Sequence, residues 1–173
     1  MTRLDRTSIL RAGLQLAEAR GLDAVTLRAV AAAVGVTPMA LYRYVAGKDD
    51  LLDGMADLLY AELELPDEAE DWWDGLLALG RSTRRVLLDR PWAVPLFARP
   101  LAGPNAVRLG DSLLATFRRA GFSAREADEL HGQLTGMVFA LVAPELAGKP
   151  NAAAFERGIA MLRPGLEARL PQQ

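Results

Sequence analysis

Apolar residues along this chain recur every three to four positions, and no stretch alternates with the period of two that a half-buried strand requires. Ile9, Ala12, Gly13 and Leu16 stand at i, i+3, i+4 and i+7, with Leu10, Leu14 and Ala17 widening the stripe, and Gly21 stops it. The spacing predicts helix one over 7–20. Thr26 is placed to cap a short second helix in which Leu27, Val30, Ala31 and Val34 repeat the spacing until Gly35. Thr37 followed by Pro38 pairs a capping residue with a proline at the first helical position, which starts a third helix running to about 45. Gly47 ends that helix, and a fourth starts at 49 or 50.

An acidic, proline-containing linker at 66–71 separates these four segments from a second set. A long helical pattern over 72–88 ends at Asp89-Arg90-Pro91, and a short proline-bounded helix follows over 92–98. Gly103-Pro104 opens a helix with Ala106, Leu109, Gly110, Leu113, Phe117 and Ala120 on one face, closed by Gly121 and its hydrophobic follower Phe122. Ser123 and Glu126 form a capping box for a largely apolar helix to about 143. After the break Gly148-Lys149-Pro150, Phe155, Ile159 and Leu162 mark a last amphipathic segment. The pattern is all-α and divides into an N-terminal domain at 1–48, a connecting fourth helix at about 49–65, and a second domain at 66–173.

Composition narrows the chemistry. A chain of 173 residues with 51% hydrophobic and 24% charged residues has ordinary globular usage, so a folded core is expected. Zero cysteine removes disulfides, thiolate nucleophiles and cysteine metal sites, and the single histidine, His131, leaves no pair for a histidine-based one. The stretch 130–144 carries no formal charge, yet it is shorter than the ~18 residues a membrane span needs. Arg3, Asp5 and Arg6 replace the apolar run of a secretory leader, so the expected location is the cytoplasm, with no membrane partner.

The net charge of −2 hides a division. Residues 1–48 carry seven basic and three acidic side chains, a net of +4, leaving −6 on the remainder. A basic segment on an acidic body suits a nucleic-acid reader, although a chance imbalance on solvated faces gives the same numbers. Residues 49–80 hold eleven acidic residues and no basic one. Two readings fit this belt: the solvated face of helix four and its linker, or a surface kept away from a polyanion.

Two short helices joined by Gly35-Val36-Thr37 have the helix-turn-helix arrangement: the glycine permits the turn, Val36 fills the space between the helices, and Leu41 and Val45 turn inward. The outward face of the second helix then carries Pro38, Met39, Tyr42 and Arg43, with Ala40 and Tyr44 at its margins. Those groups suit thymine methyls, phosphates and guanine edges. The alternative from spacing alone is a pair of packing helices whose outer residues have no further role.

The run from Thr26 to Leu52, with its cap, short helix, Gly-Val turn, Leu-Tyr core and a lysine opening helix four, resembles the DNA-binding domain of TetR family transcriptional regulators, and the likeness extends over 7–55. Residues 72–144 resemble the C-terminal domain of the tetracycline-repressor branch through Arg90-Pro91-Trp92, Arg99-Pro100-Leu101, Gly103-Pro104-Asn105 and Ala120-Gly121-Phe122. The resemblance implies a homodimeric repressor, released from double-stranded operator DNA by a small-molecule effector. It also implies that Thr26 and Arg28 meet phosphates, that Thr37, Met39, Ala40, Arg43 and Tyr44 face bases, that Tyr42 grips a phosphate, and that Lys48 anchors the backbone. The histidine pair with which tetracycline repressors hold drug and magnesium is not in this sequence, so a metal-tetracycline effector is not expected; nor is any cofactor or bound metal. Arg163-Pro164-Gly165 interrupts a final helix that the family usually continues.

For the effector, Trp72, Trp92, Phe97, Phe117, Met137 and Phe139 are candidates to line a cavity between helices, with Leu109 and Leu113 from the same apolar faces. Asn105, Gln133, Thr135 and His131 are the sparse polar groups able to orient a ligand there, and core packing is the plainer role for each lining residue. Gly132, Gly136 and Ala140, at i, i+4 and i+8, form a charge-free row suited to close approach of a second subunit. No enzyme is expected, because no nucleophile elbow, phosphate loop or paired histidine is present. The rival from another class is a helical protein-interaction module with a vestigial DNA-binding head.

Overall fold

The computed structural model describes residues 4–67, 71–149 and 151–170. Arg3, Pro150 and positions 68–70 of the acidic linker lie outside the described residues. Among the described residues the regular structure is entirely helical: α1 (Arg6–Arg20), α2 (Leu27–Ala33), α3 (Pro38–Leu41), α4 (Lys48–Tyr60), α5 (Trp72–Asp89), α6 (Val94–Phe97), α7 (Pro104–Ala120), α8 (Ala124–Leu146), α9 (Ala152–Ala160) and α10 (Leu162–Glu167), with single 3₁₀ turns at Leu22–Ala24 and Pro91–Ala93. No helix among them is long and apolar enough to cross a membrane.

Contacts gather these helices into two compact units. The first holds residues up to 61 together with Arg90–Ala106; the second holds Glu62–Asp89 and the residues from 107 onward. The first unit thus takes in α6 and the turn of α7 that the sequence pattern groups with the second domain. Its core is Ile9, Val25, Val30, Leu41, Leu51, Met55 and Leu59, all fully buried. Helices α1 and α4 approach closely because each offers a glycine. A Cβ at Gly13 would stand 2.7 Å from the Met55 sulfur, and one at Gly54 would stand 2.6 Å from a Leu10 methyl. The 90–106 segment is held by side chains of α1 and α4. Trp92 Nε1 donates to Glu18 at 2.8 Å, Phe97 packs edge-on against Tyr60, and Arg99 reaches Asp53 at 2.6 Å and Asp49 at 3.1 Å.

In the second unit α5 packs on α8, and α8 on α9. Two consecutive turns of α5 each send out an arginine fork. Arg84 meets Glu145 of α8 through bonds of 2.8 and 2.6 Å, and Arg81 meets Glu156 of α9 through bonds of 2.9 and 2.7 Å. Arg84 also lies over the Phe155 ring, and Glu145 is nearly buried, so this bidentate pair is far less exposed to solvent than Arg81–Glu156. Helix α7 ends in the predicted glycine cap: Gly121 has φ +108°, Phe122 N–H donates to the Phe117 carbonyl and Gly121 N–H to the Arg118 carbonyl, and the two phenylalanine rings meet edge to face.

Several boundaries differ from the pattern. Helix α3 closes at Leu41 rather than near 45, continuing as hydrogen-bonded turns from Tyr44 and Val45 back to the Leu41 carbonyl. Helix α4 starts at Lys48 and stops at Tyr60, short of 65. The single helix read at 92–98 is a 3₁₀ turn followed by α6. Helix α8 runs on to Leu146 with Pro144 inside it, and the last segment divides after Ala160, so that Pro164 falls in the first turn of α10, where its missing N–H removes no helical bond.

The Arg84 fork holds the Glu145 carboxyl below its ordinary range. A carboxylate whose folded pKa is depressed stabilises the fold fully above its unfolded pKa, here near 4.5, and that stability is lost as pH falls through the lower folded value. The difference in melting temperature between the native chain and Glu145→Gln is therefore expected to be largest near neutral pH and to shrink steadily below pH ~4.5. Thermal unfolding followed by circular dichroism at several pH values checks it; a difference that stays constant into acid would contradict the assignment.

Candidate nucleic-acid interface

Helix α2 starts where Thr26 Oγ1 accepts the Ala29 N–H at 3.1 Å. It ends in a glycine cap: Gly35 takes φ +72°, its N–H donates to the Ala32 carbonyl, and Val36 N–H donates to the Ala31 carbonyl. That cap turns the chain sharply into Thr37 and Pro38. Val36 is half-buried between the two helices, and Leu41 and Val45 are buried beneath the second. With Leu41 turned inward, α3 exposes Pro38 and Met39, and Thr37 before it and Tyr42 and Arg43 in the turn after it are exposed as well. Met39 is 76% exposed and Tyr42 52%. Ala40 and Tyr44 are half-buried at the margins.

Arg28 in the first turn of α2 and Lys48 at the start of α4 are exposed as well. The ten residues expected to touch a nucleic acid all belong to the first unit, on α2, α3, the residues just before each, the turn after α3 and the first residue of α4; eight are exposed, and Ala40 and Tyr44 are half-buried. Among the described residues none of Arg28, Arg43 or Lys48 has a carboxylate partner.

Arg6 is different, although the charge count treats it alike. Its guanidinium donates to the Tyr44 carbonyl at 2.7 Å and to both carboxylate oxygens of Asp50, at 2.9 and 2.5 Å. The fork holds the Asp50 carboxyl below its ordinary range, against partial burial, with help from the Ala46 N–H, which donates to it at 2.7 Å.

The acidic belt requires a correction. Along α4 it is not a solvated face: Asp50 holds Arg6, Asp53 holds Arg99, and Asp57 is only 7% exposed. Asp57 accepts from Asn105 N–H at 2.8 Å, Ala106 N–H at 2.9 Å and Asn105 Nδ2 at 2.9 Å, so it caps the start of α7 from another helix. Gly103 passes this carboxylate at φ +102°, where a Cβ would stand 2.5 Å from Asp57. Arg6, Asp50, Asp57 and Arg99 were not singled out by pattern. The available signals were a cation in the first turn of α1, which the helix dipole disfavours, and a glycine immediately before Pro104.

The residues expected to line an effector cavity fall in both units. Trp92, Phe97 and Asn105 belong to the first, where each has a partner described above. Leu109, Leu113 and Phe117 are buried along the inner face of α7 in the second, and half-buried His131 of α8 lies against Gly110. Gln133 and Thr135 are exposed on α8, as is Met137 at 43%. Trp72 packs edge-on against Trp73 and Phe122, and Phe139 is half-buried.

Residues 9–55 match the family model for bacterial regulatory proteins of the tetR family, and residues 65–172 match the model for the tetracyclin repressor-like C-terminal domain. An HTH-type transcriptional regulator of Saccharopolyspora erythraea is 33% identical over 82% of this chain and 61% of its own length. The tetracycline repressor protein class A from transposon 1721, from Escherichia coli, is 32% identical over 91% of this chain and 74% of its own. A solved TetR variant from Acinetobacter baumannii in complex with minocycline superposes with a TM-score of 0.83 at 26% identity, covering 98% of this chain and all of that one. The chain thus spans less than two thirds of the Saccharopolyspora relative.

Proposed function

Since this chain belongs to the TetR family of bacterial regulators, we propose that it is a transcriptional repressor. On this reading its first unit binds double-stranded operator DNA, and binding of a small, largely apolar molecule to its second unit releases it. The observation that carries the reading is the outward side of α3 and the turn after it, where Met39, Tyr42 and Arg43 stand exposed with the unpaired cations Arg28 and Lys48 in the same unit. Phosphate contacts from Thr26, Arg28, Tyr42 and Lys48 fix register, and Thr37, Met39, Ala40, Arg43 and Tyr44 meet base edges, with Pro38 starting the helix that carries them.

A near-palindromic operator needs two such faces about one duplex turn, ~34 to 36 Å, apart or somewhat more, and hence a homodimer. The unfilled row on α8 supports one: a Cβ added at Gly132 or Gly136 meets nothing within 4 Å, and Met137 and Ala140 are exposed beside them. Glycine inside a helix costs about 1 kcal/mol relative to alanine, a cost that close packing of a second copy offsets and solvent does not. The effector acts by favouring a dimer whose heads fit DNA less well, and its differential affinity limits the release. Buried Leu109, Leu113 and Phe117 supply an apolar wall for it, and His131 a polar group beside that wall.

Selection of binding sites from a random duplex pool tests the proposal. A near-palindromic consensus supports it, whereas binding without sequence dependence at any salt concentration favours the protein-interaction rival. On the selected duplex, Arg43→Ala is expected to relax base preference at a cost of about 1 to 3 kcal/mol, while Lys48→Ala weakens all sequences alike and lowers the salt slope by about one; uniform loss in both would make Arg43 a phosphate contact. Gly136→Arg should sediment as a folded monomer with its operator binding lost, and intact dimers would place the interface elsewhere. Any compound that weakens operator binding through the second unit should also raise the melting temperature of the free protein by mass action. Leu113→Trp should remove both effects and leave operator affinity unchanged.

A further inference from the structure

The reading helix is among the least self-sufficient elements of the first unit. Helix α3 spans four residues, and its Thr37 side chain makes no capping bond. A helix of that length has no stability of its own in water, so its direction is set by what grips its two ends. The leading end is set by the Gly35 cap, and the trailing end by Arg6 and Asp50. One guanidinium nitrogen of Arg6 takes the Tyr44 carbonyl and one Asp50 oxygen; the other takes the second Asp50 oxygen; and Asp50 takes the Ala46 N–H. The backbone on both sides of Val45 is thereby tied to α1 and α4.

The surroundings are shaped for this contact. Arg6 is the first residue of α1, whose first turn holds no acidic side chain, so a cation there opposes the helix dipole. The capping box between Asp5 and Ser8 fixes that turn. Gly54 leaves the space across which the guanidinium lies: a Cβ would stand 3.3 Å from Arg6 Nη2. With both terminal nitrogens turned onto Asp50 and Tyr44, Arg6 is placed to hold protein rather than phosphate.

We infer that Arg6 and Asp50 are positioning residues for operator recognition: as a pair they fix the trailing end of α3 through Tyr44 and Ala46, and operator affinity depends on them although neither touches the duplex. The inference rests on the reading of this unit as a DNA-binding head. It makes an opposite prediction from simple charge. Removing Asp50 would strengthen binding if charge alone mattered, and weakens it if Asp50 holds the helix. Because the pair is partly exposed, its loss shows in binding more than in melting.

The experiment uses the full chain and the duplex that the wild type selects from a random pool, with affinity measured from about 50 to 200 mM salt. Arg6→Ala and Asp50→Ala are each expected to weaken binding about tenfold, and the double variant to be no worse than the weaker single one. Arg6→Lys should recover part of the loss, and the slope of affinity against salt should stay that of the wild type. An Asp50→Ala variant that binds as tightly as the wild type or more tightly overturns the inference, as does an Arg6→Ala variant whose slope falls by about 0.9. If Asp50→Ala does not fold, Asp50→Asn replaces it: native melting with weakened binding supports the inference, and native melting with wild-type binding overturns it. A wild type that selects no sequence overturns the operator reading, and this inference with it.

Discussion

A four-residue helix cannot hold its own direction in water, and the first unit is organised around that constraint. The groups that α3 displays are useful only if they face outward in a fixed register, and that register comes from outside the helix. Gly35 aims its start, Leu41 and Val45 are buried on its inner side, and the turn that follows it is bonded to the side chains of Arg6 and Asp50 through Tyr44 and Ala46. The close approach of α1 and α4 through Gly13 and Gly54 serves the same end, because it brings Arg6 and Asp50 within reach of each other.

The cations of this unit consequently divide into two kinds. Arg6 and Arg99 are forked onto carboxylates of α4 and cancel charge where they stand, while Arg28, Arg43 and Lys48 keep theirs for solvent or a polyanion. A net charge counted along the sequence cannot see this division. The geometry can, since a guanidinium with its terminal nitrogens turned onto a carboxylate and a carbonyl has little left to offer a phosphate.

Much of the architecture was readable because its signals are local. Thr26, Gly35, Pro38, Gly121 and the Ser123–Glu126 box act within a turn or two of themselves, and each marks an element boundary in the structure. The exposed side of α3 and of the turn after it was readable for the same reason, being the complement of a local packing pattern. What escaped was every contact between distant parts of the chain. Asp57 and Asn105 are 48 positions apart, Arg6 and Asp50 44, and nothing in the spacing of either pair announces the other partner. Nor could periodicity tell that Trp92 answers Glu18 rather than an aromatic cluster, or that Arg90–Ala106 joins the first unit. Helix α3 is shorter than its spacing suggests because residues 42–45 keep helical spacing while adopting turns.

The carboxylates of α4 carry a further consequence, for how freely this sequence can drift. Asp50, Asp53 and Asp57 resemble the interchangeable acidic surface found on many helices, yet each is matched in reach and direction to groups distant in the sequence. Lengthening Asp57 by one methylene to glutamate would push its oxygens into the N–H groups at the start of α7, and amidation to asparagine would remove the negative charge that faces them. A stretch that looks tolerant of exchange by composition is therefore close to frozen.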